Sequence, residues 1–134
     1  MTRATKPSSV ECKKIAASLS GFSSAVTALA QESPERMSMP QLLFFLMAAE
    51  ADLRGVPTTF SAVREALGES VARSVNTTYK VMLEPTKQSP NGIGWMWRES
   101  DSDDERVKYF RLTNKGLAAV QAVAACLDTE KAKG

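Results

Sequence analysis

The sequence predicts a mainly α fold with one small β-hairpin, an α+β domain, on three observations. Apolar residues recur three and four apart along most of the chain. Three of these runs open on serines placed to cap helices: Ser8, Ser38 and Ser70. Only Trp95 to Leu112 replaces this rhythm with aromatic and β-branched residues around a polar turn.

Residues 1–7 read as a flexible arm. Ser8 then caps a first helix and Glu11 can reach back to close a capping box. Its apolar positions, Cys12, Ile15, Leu19, Phe22, Val26 and Leu29, form the narrow stripe of a helix that packs along another helix, with Gly21 as a weak point. Ser33-Pro34 ends it, because a residue before proline is pushed out of helical geometry.

Ser38-Met39-Pro40-Gln41 repeats the start signal for a second helix running to about Arg54. Leu42 to Met47 make it apolar nearly all round, which places it at the centre of the core. Gly55-Val56-Pro57 stops it. A short third helix, Thr59 to Leu67, ends at Gly68, a residue suited to a left-handed turn. A fourth, capped by Ser70 and running to Leu83, buries Val71, Val75, Tyr79 and Met82. Two short helices joined through a glycine form a helix-turn-helix pattern, one that unrelated helical proteins also carry.

Trp95 to Glu99 and Val107 to Leu112 flank Ser100 to Arg106 as a hairpin. The last helix opens at Thr113, and Leu117, Val120, Ala124 and Leu127 repeat the three-four spacing of the first. Residues 128–134 read as a polar tail. The expected organisation is therefore one domain over 8–127, with interface helices at 8–32 and 113–127 around a core at 38–112.

Composition narrows the function. The chain has 134 residues, 43% of them hydrophobic, enough for one core. No apolar run approaches a membrane span and the first residues lack a secretory signal, so no membrane partner and a cytoplasmic location are expected. Two cysteines, Cys12 and Cys126, lie far apart without metal-ligand spacing, and read as packing residues rather than redox sensors. Histidine is absent, which removes the commonest general base and metal ligand. No enzyme and no cofactor are expected, since adjacent acids such as Asp103 and Asp104 in a polar turn are ordinarily just solvated. The net charge of +2 decides nothing, because phosphate binding needs a local basic surface.

Asp104-Glu105-Arg106 followed, after a short strand, by Leu112-Thr113-Asn114-Lys115-Gly116 resembles the D-x-R wing and L-T-x-x-G helix entry of MarR-family transcriptional regulators. The likeness runs from about Ser38 to Gln121. It implies a winged helix-turn-helix domain with N- and C-terminal dimerisation helices, a wing held by Asp104 and Arg106, and Thr113 as a helix cap. It also implies double-stranded DNA and a second copy of the chain as partners, with repression as the mode of regulation. A small-molecule effector is a further family expectation; the apolar second helix serves equally as lining for its pocket and as ordinary core. The setting implied is a bacterial or phage-encoded cytosol, associated with the nucleoid.

The sequence departs from the family in its long link from Glu84 to Gly94, its acidic tip and its short last helix. On this reading the fourth helix presents Arg73, Ser74, Asn76, Thr77 and Lys80 to the major groove, where Arg can pair with guanine and Asn with adenine. Arg64, Lys87, Arg98, Arg106 and Lys108 flank it as cations for phosphate, with Arg111 also on the hairpin. Some of them must neutralise Asp101, Asp103, Asp104 and Glu105 at the tip. Dimerisation is assigned to Ile15, Leu19, Phe22, Val26, Leu29, Leu117, Val120, Ala124 and Leu127. Trp95 and Trp97 read as core rather than base-stacking residues. The rival reading is a winged-helix module for protein interaction, or an accessory factor in replication or phage biology, without sequence-specific DNA binding.

Overall fold

The computed structural model describes residues 4–33, 36–76, 78–87, 90 and 92–133, with the side chains of residues 78 and 128–133 outside the description. Among these residues there are five α-helices, α1 (Ser9–Glu32), α2 (Met39–Leu53), α3 (Phe60–Leu67), α4 (Glu69–Val75) and α5 (Asn114–Lys133), and one hairpin of β1 (Met96–Ser100) and β2 (Lys108–Leu112), against which α2, α3 and α5 pack. The strands are antiparallel, with Met96 opposite Leu112 and Ser100 opposite Lys108. The fold is thus mainly helical with a two-stranded sheet.

Helix α2 is the pillar of the core. Ser38 and Gln41 exchange both bonds of a capping box, and Pro40 sits in the first turn where no partner for its nitrogen is needed. Phe44, Phe45, Ala48 and Ala49 are buried. Phe44 meets Phe110 edge-on at 5.0 Å between centroids and also touches Phe60 and Tyr79, while Phe45 packs against Trp95 at 4.7 Å. These four α2 residues are solid core rather than pocket lining.

Helix α1 begins as expected, with Ser8 Oγ accepting the Glu11 N–H, but its apolar stripe divides. Gly21, Ala25 and Leu29 are buried, and α1 packs chiefly along α5. At 3.6 residues per turn this buried row lies roughly 100° around the helix from Ile15, Leu19 and Phe22, which are 51%, 62% and 59% exposed. Gly21 is therefore part of the packed face, and Leu29 belongs to the domain's own core. Val120 also packs against that core. Leu29, 3% exposed, is not free for the interface role assigned to it, whereas Val120 is only half-buried.

Two further expectations are corrected. The single helix from Ser70 to Leu83 is instead α4, ending at Val75, followed by a 3-10 turn at Thr78–Met82. Val75, Asn76, Thr77 and Thr78 are all weak helix formers, and the tighter turn still delivers Tyr79 and Met82 to the core. Ser70 is not the cap, because Gly68 alone separates α3 from α4 and serves both ends, with φ 84°. The final helix continues to Lys133 rather than giving way to a tail after 127, so it is long, not short.

The long link returns on itself. Ile93, Gly94 and Trp95 N–H groups donate to the carbonyls of Val81, Leu83 and Met82, so both ends of the 84–92 loop are tied together. Trp95 is fully buried, whereas Trp97 is exposed, which divides the two rings between core and surface.

Candidate nucleic-acid interface

Asp52 anchors the hairpin to α2. Its side chain, 12% exposed, lies 2.8 Å from Arg111 Nε and accepts the Leu112 N–H at 2.8 Å. The Arg111 contact is close enough for an ion pair but off the line of a hydrogen bond. Arg111 also approaches Glu99 across the strands. It is committed within the domain and is removed from the cations offered to a ligand. Nothing in the sequence pattern singles out Asp52, one of two acids, with Glu50, in the last turn of a largely apolar helix.

The acidic tip is organised by its own hydrogen bonds. Asp101 Oδ2 accepts the N–H groups of Asp103 and Asp104, and Asp101 Oδ1 accepts the Tyr109 hydroxyl. Asp104 takes the Arg106 N–H, Nε and Nη2. Two of the four tip acids are thus occupied in shaping the loop. The hydrogen bonds from the Arg106 side chain and backbone hold the Asp104 carboxyl below its ordinary value of 3.8. The charge of Asp101, and its hydrogen bond, push the Tyr109 hydroxyl above 10.0.

Both shifts have a definite sign. A depressed carboxylate stabilises the loop above its unfolded value and loses that contribution as pH falls through the lowered one; a raised tyrosine contributes below 10.0 and loses it as pH rises. In an NMR titration, Arg106→Ala should move the Asp104 midpoint up toward 3.8, and Asp101→Asn should bring Tyr109 down toward 10.0. Midpoints unchanged by these substitutions would mean that the tip bonds do not persist in solution.

Among the remaining candidates, Arg64, Arg73, Ser74, Asn76, Lys80 and Lys87 are all exposed, on α3, α4, the 3-10 turn and the loop after it. Thr77 lies outside the described residues. Arg73 is paired with Glu69 one turn back at 3.6 Å, with both side chains mostly in water. Such a pair is worth about 0.2–1 kcal/mol and would yield to a better partner. Arg98, Arg106 and Lys108 converge on a cleft of about 290 Å³ between the hairpin and the start of α3. Thr59, Ser61 and Tyr79 also line it, and sequence reasoning missed all three as site residues. Thr59 was visible only as the start of a helix.

Among the described residues, no group of three or more His, Cys, Asp or Glu side chains could hold a metal ion, and no helix is long and apolar enough to cross a membrane. Comparison of the chain with protein-family models, curated proteins and solved structures finds no match.

Proposed function

We propose that this chain is a sequence-specific binder of double-stranded DNA, a winged helix-turn-helix regulator of the MarR type that acts as a dimer and represses transcription. The observation that carries this reading is the exposed polar set Arg73, Asn76 and Lys80 around α4, in the same chain as the cation-lined hairpin. The glycine-joined α3 and α4 supply the helix pair, and the self-paired tip acids reduce the repulsion that an acidic wing would otherwise offer to phosphate. Because α4 is only seven residues long, base reading falls to Arg73 and Asn76 at its end, with Lys80 on phosphate.

The test is selection of bound sequences from random duplexes across a salt series. The wild type should enrich an inverted repeat, and Arg73→Ala/Asn76→Ala should lose at least about tenfold in affinity for it, since one good bidentate base contact is worth about 1–3 kcal/mol. Weak binding without enrichment, unaffected by the substitutions, would overturn the reading and favour the protein-interaction module. That alternative draws on Asp103 and Glu105, both exposed at the tip.

Dimerisation rests on Ile15, Leu19, Phe22 and Leu127, large apolar side chains left open on the terminal helices. Val26 and Leu117 are half-buried, and Ala124 is exposed but small. A two-fold dimer would set the two reading helices roughly 34 Å apart, in successive major grooves. Leu19→Asp/Phe22→Asp should weaken the dimer at least about 100-fold, given about 1.5–3 kcal/mol for burying each such side chain. Sedimentation should show a wild-type dimer at micromolar concentration and a monomeric variant. A monomeric wild type would remove the dimer from the proposal.

A further inference from the structure

We infer that the cleft between the start of α3 and the hairpin is a binding site for the phosphate group of a phosphate ester. The inference stands apart from the DNA reading, which supplies one source of such a group, the duplex backbone; a small phosphorylated molecule is the other.

The hairpin register puts Arg98, Phe110, Ser100 and Lys108 on one face, since Arg98 lies opposite Phe110 and Ser100 opposite Lys108. Arg98 and Lys108 therefore project from the same side, two residues apart along the sheet. Arg106 enters from the tip, and among the described residues no carboxylate lines the cleft. The charges are only partly answered. Lys108 Nζ is held at 2.6 Å by Ser100 Oγ, a neutral partner that fixes its position without cancelling its charge. Arg106 gives Nε and Nη2 to Asp104 and keeps Nη1 outside that pair. Arg98 is exposed, with no ion pair among the described residues.

The opposite wall supplies uncharged donors. Thr59 caps α3 by accepting the Ala62 N–H, so the first-turn N–H groups of Phe60 and Ser61 emerge at the helix end without intrahelical partners. The Ser61 and Tyr79 side chains join them in lining the cleft. Phe60 and Tyr79 stack at 4.6 Å, and Phe110 is buried beneath. These rings give the cleft an apolar floor beneath cations of which Arg98 and Arg106 stay largely in water. Three cations with hydroxyl and amide donors suit a tetrahedral anion with several acceptor oxygens, and arginine meets phosphate in bidentate fashion. The volume exceeds that of one phosphate and leaves room for an attached group on the ring pair.

The experiment is an amide NMR titration of the full chain with inorganic phosphate, 5′-AMP and a short duplex, at matched ionic strength. Phosphate should shift Ser61, Ala62 and Lys108 saturably. Arg98→Ala should weaken that binding at least tenfold with unchanged circular dichroism, and Lys13→Ala, an exposed cation on α1 that does not line the cleft, should not. A duplex that moves the same amides and displaces phosphate supports the site with the DNA backbone as source; AMP that binds there more tightly than phosphate supports it with a small ester. Shifts that do not saturate, or that Arg98→Ala leaves intact, overturn the inference. A duplex that binds through Arg73 and Asn76 while phosphate leaves the cleft amides unmoved would overturn it and keep the DNA reading.

Discussion

Gly116→Ala is expected to destabilise the domain by about 3 kcal/mol, as overpacking against fixed backbone does, although alanine is ordinarily the better helix former by about 1 kcal/mol. The reversal comes from where α5 begins. Thr113 N–H donates to the Trp95 carbonyl at 3.0 Å, the Thr113 hydroxyl donates to Gly94 O at 2.6 Å, and Gly116 N–H returns to the Thr113 hydroxyl at 3.0 Å. The first turn of α5 is pressed onto the strand-entry backbone. A Cβ at residue 116 would run into the Trp95 carbonyl oxygen and come within 3.1 Å of Leu112 Cδ2. Trp95 itself is buried against Phe45, so the wall cannot retreat without opening the core. With a urea slope of about 1–3 kcal/mol per molar, the midpoint should fall by about 1–3 M. An unchanged or raised midpoint would mean that α5 does not seat on Trp95. The contact also gives the glycine of Leu112-Thr113-Asn114-Lys115-Gly116 a physical reason.

Local signals carried most of the helical framework. Ser38 and Gln41 announced α2 because a capping box is made by residues three apart in sequence, and the structure shows both of its bonds. The hairpin was legible for the same reason, since aromatic and β-branched runs either side of a polar turn need no distant partner. What escaped was decided by contacts between elements. The division of the α1 stripe depends on which face α5 takes, and the choice fell on Gly21 and Ala25 rather than on the larger Leu19 and Phe22. The end of α4 depends on a competition between weak helix formers and the burial of Tyr79 and Met82.

The candidate site divides in the same way. Arg98, Arg106 and Lys108 could be picked out as charges, but Thr59, Ser61 and Tyr79 are ordinary residues until the fold brings the start of α3 to the hairpin. Arg111 illustrates the converse. Its type and position matched those of its neighbours, and only the approach of α2 commits it to Asp52.

That commitment has a large expected consequence. Asp52→Ala would leave the Arg111 guanidinium and the Leu112 N–H without their carboxylate. Removing one partner of a buried pair costs about 3–5 kcal/mol, a substantial part of the 5–15 kcal/mol that stabilises a typical domain. Arg111 is 37% exposed and can turn partly to water or to Glu99, so about 3 kcal/mol is expected, at the lower end of that range. Asp52→Asn keeps an acceptor for Leu112 and should cost less. Combining Asp52→Ala with Arg111→Met should recover part of the loss, because no charge is then stranded. Urea denaturation of the wild type, Asp52→Ala, Arg111→Met and the double variant measures the cycle. A cost below about 1 kcal/mol for Asp52→Ala would make the pair an ordinary surface contact. The hairpin that Asp52 holds also carries Arg98 and Lys108. In Asp52→Asn, which should stay folded, a hairpin less firmly tied to α2 should bind phosphate more weakly even though none of the cleft's own residues has changed.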